Sequence, residues 1–233
     1  MVDGTENETG HLEAVLFDLD GTLLDRRLSF ERFVSDQWRR FPALLQSSDQ
    51  ELFVRAAIAC DGDGYAPRRH LFSGALARCG LATDAAEALL ADYRARFPSA
   101  CVLFPDATHT LSALRAMGLK LGLITNGSAR MQSGKIAHLA LRPVFDTLLI
   151  SDEEGICKPD PEIFRRALAR LDTEPECAAF VGDLPDVDIA GARRAGMTAV
   201  WRRDAARAQQ VDADVIIDEL TELIPWATAR RRR

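Results

Sequence analysis

The chain has 233 residues, of which 47% are hydrophobic and 27% charged, an ordinary globular composition with room for one large domain or two modest ones. A formal charge of −6 argues against general nucleic-acid binding, and no apolar run approaches the ~20 residues of a membrane span. The polar, acidic start carries no secretory pattern.

Five cysteines, odd in number and without a C-x-x-C pair, indicate neither a zinc site nor a disulfide framework and fit a reducing cytoplasm best. Cys157 is expected to be a small buried hydrophobe. The four arginines at 230–233 read as a solvated tail. Only Lys120, Lys135 and Lys158 are lysines among 29 basic residues, so each one stands out.

Ala14–Phe17 is a short apolar run ending in Asp18, a pattern that predicts a buried strand. From Leu28 the period becomes helical: Phe30, Phe33, Val34, Trp38 and Phe41 share a face, and Pro42 closes the segment. Ser48 and Glu51 form a capping box ahead of Leu52, Phe53, Ala56 and Cys60. Further helices fit 67–79 and 83–97, so residues 23–104 read as an all-helical block.

A helix carrying Leu111, Leu114 and Met117 ends at Gly118. Strand-like 121–125, a helix to about 139, and strand-like 147–150 follow. Asp160 and Pro161 then open a helix with Ile163, Phe164, Ala167, Leu168 and Leu171 on one face. Apolar 178–181, a helix over 186–195, and apolar 198–201 and 215–217 complete the series. Short apolar strands alternating with amphipathic helices specify an α/β fold, a doubly wound, Rossmann-like parallel sheet. Its core is predicted over 12–22 plus 105–226, interrupted by the helical insert after the first strand and flanked by tails at 1–11 and 227–233.

In such sheets ligands bind beyond the carboxyl ends of the strands. The polar residues there are Asp18, Asp20 and Thr22, then Thr125 and Asn126, then Lys158, then Asp183, Asp186 and Asp188. Asp18 and Asp20 leave the strand two residues apart, and Gly21 permits a sharp turn. Carboxylates so close repel unless a cation or a shared proton intervenes. With Asp183 and Asp188 the site favours a hard, oxygen-loving ion, Mg²⁺. Thr125 and Asn126 add neutral donors and Lys158 a point charge, which together suit a phosphoryl group.

Four segments carry a resemblance: Phe17-Asp18-Leu19-Asp20-Gly21-Thr22-Leu23, Ile124-Thr125-Asn126-Gly127, Lys158-Pro159-Asp160-Pro161, and Val181-Gly182-Asp183 followed by Asp188. Together they resemble the four motifs of the haloacid dehalogenase-like hydrolase superfamily, and the insert is similar to the cap that one subgroup carries after its first motif. The resemblance implies a Mg²⁺-dependent hydrolase of small phosphorylated metabolites. Asp18 would be the nucleophile and a metal ligand. Asp20 would be acid and then base, its backbone carbonyl on the metal. Thr125 and Lys158 would bind phosphoryl oxygens, with Asn126 supporting that loop. Asp183 would ligate the metal, and Asp188 would support it. Asp186 falls outside these positions and reads as a helix-start residue.

Alternatives on the same fold are a 2-haloacid dehalogenase, a phosphomutase and a non-catalytic binding protein. Asp20 disfavours the first and Thr22 the second, and the complete set of carboxylates and lysine disfavours the third. Tyr65, Arg68 and Arg69 in the insert are candidates for substrate specificity, since an arginine pair suits a second anionic group. A nucleoside monophosphate, phosphoglycolate or a sugar phosphate would all be allowed. Asp61-Gly62-Asp63-Gly64 opens like a calcium loop, but Phe72 stands where the closing glutamate is required, so a plain connecting loop is expected.

Overall fold

Ala14–Phe17 forms strand β1, buried along its whole length, in a computed structural model that describes residues 11–45, 47–64, 66–204 and 211–231. Helices α1 (Arg26–Arg40), α2 (Pro42–Leu45), α3 (Gln50–Asp61), α4 (Leu71–Arg78) and α5 (Ala86–Arg96) follow. Then come α6 (Ala107–Ala116), β2 (Lys120–Thr125), α7 (Ala129–His138), β3 (Thr147–Ile150), α8 (Ser151–Glu154) and α9 (Pro161–Leu171). The chain continues with β4 (Ala178–Gly182), α10 (Ala190–Arg194), β5 (Thr198–Arg202), β6 (Val215–Ile217) and α11 (Leu223–Arg231).

The strands pair in parallel in the order β3-β2-β1-β4-β5-β6. Parallel strands covered on both faces read as unbroken apolar runs, which is why β1 and β4 carry no polar side chain. Phe17 lies opposite Leu123 on one side and Val181 on the other. The strand order reverses between β1 and β4, so the ends of these two strands flank the crevice where such sheets hold their ligands.

Helix α9 shows how the sheet is covered. Asp160 caps it through its carboxylate on the Glu162 N–H, and Pro161 fills the first turn. The stripe Ile163, Phe164, Ala167, Leu168 and Leu171 is buried in one cluster with Leu16, Ile124 and Phe180. The Phe164 and Phe180 rings meet edge to face at 4.9 Å. Truncating Phe164 to alanine would cost about 3–5 kcal/mol.

The chain divides into two compact units. One, with the sheet, comprises the described parts of Met1–Leu23, Leu103–Ser133 and Ala140–Arg233; the other is helical and comprises those of Leu24–Val102 with Gly134–Leu139. The helical unit packs on aromatic rings, with Tyr93 stacked on Phe97 at 4.9 Å and Phe33 edge-on to Tyr93 at 5.6 Å. Its buried Asp61 accepts from both Nη atoms of buried Arg26, at 2.6 and 3.0 Å, and pairs with Arg68 as well. Asp61 therefore ends α3 as an anchor, where the sequence read only as a loop.

Other local expectations are corrected. Helix α3 is capped by Asp49, which accepts from the Leu52 N–H at 2.9 Å, and not by the Ser48–Glu51 box. Ser48 turns back to the Leu45 carbonyl and Glu51 pairs with Arg55, because the Asp49 carboxylate sits at the offset a cap needs. A wide π turn, Pro185–Ile189, precedes α10 where a continuous helix was expected. Cys157 is exposed, and all five cysteines are free thiols. The expected tail from 227 is helical through Arg231, with the Arg230 guanidinium 4.5 Å from the Trp226 ring centre. Residues 1–10, Tyr65, Arg232 and Arg233 lie outside the described residues. Among those described, no helix is long and apolar enough to cross a membrane.

Candidate active site

The Asp18 N–H donates to the Val181 carbonyl at 2.9 Å, so Asp18 takes the last rung of the β1–β4 ladder. Gly21 then turns the chain with φ at +90°, and a Cβ there would lie 2.5 Å from Asp183 Oδ2. Only glycine lets this loop pass the Asp183 carboxylate. Gly182 plays the same part for Asp188, whose Cβ would sit 2.3 Å from an added methyl.

Lys158 Nζ stands 2.6 Å from Asp18 Oδ1 and 2.8 Å from Asp188 Oδ1, and the lysine is 3% exposed. Burial pulls the Lys158 ammonium down, but Asp18 and Asp188 outweigh it and hold its pKa above the usual lysine value. Burial pushes the Asp18 carboxyl up to about 7 against the pull of Lys158, with the charges of Asp188 and Asp20 adding to the rise. One buried ammonium thus pairs directly with two buried carboxylates, Asp18 and Asp188.

Asp18, Asp183 and Asp188 each offer an oxygen, all within 4.8 Å of one another. Three hard oxygen donors so close together fit a hard divalent cation. The Leu184 N–H donates to Asp188 Oδ2 at 3.1 Å, and the Trp201 indole N–H donates to the Asp183 carbonyl at 3.0 Å, fixing two of the three.

On the other side of β1, Thr125 ends β2 with its hydroxyl buried. Asn126 and Lys158 clasp reciprocally: the Asn126 amide donates to the Lys158 carbonyl and the Lys158 N–H donates to Asn126 Oδ1, both at 2.9 Å. This clasp holds the backbone from which the ammonium projects over the Phe180 ring, 5.2 Å from its centre. Asp20, partly exposed, receives a 2.9 Å hydrogen bond from Gln132 Nε2 on α7.

The structure therefore gathers Asp18, Asp188 and Lys158 in direct contact, with Asp183 beside them. Asn126 joins through its clasp with Lys158, and Asp20 and Thr125 join through Gln132 Nε2, which donates to both. Asp186 is exposed in the π turn. In the helical unit, Arg68 is engaged by Asp61 and by the Gly64 carbonyl at 2.7 Å, while Arg69 is exposed, its Nε donating to His70. Three residues escaped the sequence reading: Gln132, Trp201 and Arg202, the last donating to the Gly21 carbonyl at 3.0 Å. Gln132 left one trace, a polar residue one helical turn before the buried Ile136.

The sequence profile of the haloacid dehalogenase-like hydrolase family matches residues 12–196. The chain is 39% identical over 161 residues to a phosphoserine phosphatase of Thermus thermophilus, covering 67% of this chain but only 63% of that protein, under two thirds of its length. It is 37% identical over 195 residues to a glyceraldehyde 3-phosphate phosphatase of Methanopyrus kandleri, covering 81% and 83% of the two chains. A solved 2-haloacid dehalogenase from Pseudomonas syringae pv. Tomato superposes with a TM-score of 0.61 at 31% identity, over 94% of this chain and 99% of the other.

Proposed function

From the premise that this chain belongs to the haloacid dehalogenase-like hydrolases, we propose that it hydrolyses small phosphate monoesters through a phosphorylated Asp18, with Mg²⁺ as its cofactor. The observation that carries this reading is one ammonium, Lys158, within 2.8 Å of two carboxylates at the edge of a three-carboxylate cluster. Two carboxylates against one ammonium leave a negative charge that a divalent cation would offset, and that cation with Lys158 would present positive charge to a phosphate dianion. The phosphatase names of two relatives support the same reading.

Asp18 attacks phosphorus in line, and Asp20 protonates the departing oxygen. The same carboxylate then accepts a proton from the water that cleaves the phosphoaspartate. Thr125 and Lys158 hold the phosphoryl oxygens, and Asn126 keeps the Lys158 loop in register. Asp18, the Asp20 carbonyl and Asp183, supported by Asp188, would hold the metal. Bound there, Mg²⁺ would supply charge neutralisation for the transferring group. Arg69 and Arg68, in the helical unit read as a cap, are proposed to select the rest of the substrate, Arg69 being the one not committed to Asp61.

A dehalogenase reading draws on the likeness to the Pseudomonas structure. Asp20 weighs against it, because displacement of halide from carbon leaves no alkoxide that needs a proton. Chelator-stripped protein should lose turnover of phosphate monoesters and regain it with Mg²⁺. Activity that ignores the chelator, or release of halide from a 2-haloacid at a comparable rate, would overturn the assignment.

A further inference from the structure

Gln132 has no part in the mechanism above, yet it reaches two of its members. It is 2% exposed, on the first turns of α7, and its Nε2 lies 2.9 Å from Asp20 Oδ2 and within hydrogen-bond distance of Thr125 Oγ1. A primary amide nitrogen carries two hydrogens, so both donors are accounted for by these two acceptors. A buried amide with its donors so used resists rotation, since turning away would leave its own buried N–H groups unsatisfied. The Gly127 backbone lies against the same side chain: a Cβ there would approach Gln132 Cγ to 3.0 Å.

We propose that Gln132 is a positioning residue for Asp20. Its amide fixes the plane of the Asp20 carboxylate by holding Oδ2. It also occupies the Thr125 hydroxyl oxygen as an acceptor, which leaves that O–H to donate towards a phosphoryl oxygen. The acid–base group and the phosphate-binding hydroxyl, 105 positions apart in sequence, are thereby set relative to one another by a single nitrogen. The inference rests on the reading of Asp20 as acid and base.

The test compares kcat/KM for phenyl phosphate, whose leaving group needs a proton, with that for 4-nitrophenyl phosphate, whose leaving group does not. The ratio cancels any loss through Thr125, which both esters share. Gln132→Met keeps length without a donor, and Gln132→Glu keeps shape while replacing the donors by an acceptor; the second serves if the first does not fold. Either variant should lower the phenyl ester about tenfold more than the nitrophenyl ester. In an Asp20→Asn background the same change should leave the ratio where Asp20→Asn alone puts it.

Equal losses on both esters, or a selective loss that persists without Asp20, would overturn the positioning role. Failure of the underlying reading has a different signature: Asp20→Asn alone would then show no preference between the esters, and the proposal would fall with it.

Discussion

Two of the buried charge clusters among the described residues have opposite stoichiometries. In the helical unit two guanidinium groups, Arg26 and Arg68, surround one carboxylate, Asp61. At the sheet ends one ammonium, Lys158, faces Asp18 and Asp188, with Asp183 and Asp20 close by. The first cluster has no excess negative charge, and both Asp61 oxygens are occupied by donors. Such a group fixes a helix end and asks for no further ligand. The second sets one ammonium against two carboxylates, and burial, with the charge of Asp188 added, pushes the Asp18 carboxyl up to about 7. Buried charge marks a functional site when it is left uncompensated by its own neighbours.

The sharpest way to break this comparison is to remove one carboxylate from each cluster. Asp18→Asn should abolish phosphate ester turnover by at least about 10⁴-fold while the fold persists. Asp61→Ala should do the reverse. It leaves two buried or half-buried guanidiniums facing each other and should cost about 3–5 kcal/mol of stability, read from denaturant unfolding. Turnover of 4-nitrophenyl phosphate by the folded fraction should be unchanged. Loss of chemistry in the second variant, or of stability in the first, would erase the distinction.

A smaller effect concerns pH. In metal-free protein the Asp18 carboxyl stands at about 7 against an ordinary 3.8, so between those values the folded chain keeps a proton that the unfolded chain has released. The stability from this group is intact below the lower value and is lost as pH rises through the upper one. Chelated wild type should therefore melt progressively lower than Asp18→Asn on going from about pH 5 to about pH 8. Added Mg²⁺ should close that gap. A difference between the two proteins that is flat in pH would mean Asp18 titrates normally.

The smallest expected change tests the support of the cluster. Trp201→Phe keeps the ring and removes the N–H held by the Asp183 carbonyl, so half-activation should require about tenfold more Mg²⁺ at nearly the same maximal rate. An unchanged activation curve would show that the indole contributes packing alone.

How much of this was legible in the sequence varies with the range of the interaction. Asp18 and Asp183 announce themselves because a buried parallel strand reads as an apolar run, and the first polar residue after it marks the strand's end. The lysine scarcity pointed to all three lysines. Lys120 satisfies the end of α9 through the Leu171 and Asp172 carbonyls, Lys135 lies 5.6 Å from the Phe97 ring centre, and Lys158 enters the site. Composition could not say which of the three was which. Gln132 and Trp201 stayed hidden because their partners lie 112 and 18 residues away and are set by sheet order. Asp61 was misjudged for the same reason: its partner Arg26 is 35 residues upstream. The cap of α3 failed on competition between neighbours, since Ser48 and Asp49 both suit that position and only packing chooses.

The central claim is that the unbalanced cluster exists to form and break a bond at Asp18. Rapid mixing of Asp20→Asn with 4-nitrophenyl phosphate and Mg²⁺, followed by acid quench and peptide mass analysis, tests it most directly. The account predicts a burst of close to one equivalent of nitrophenol, slow turnover afterwards, and one phosphoryl group on the peptide that contains Asp18. A linear trace with no burst, together with an unphosphorylated Asp18 peptide at every quench time, would contradict it.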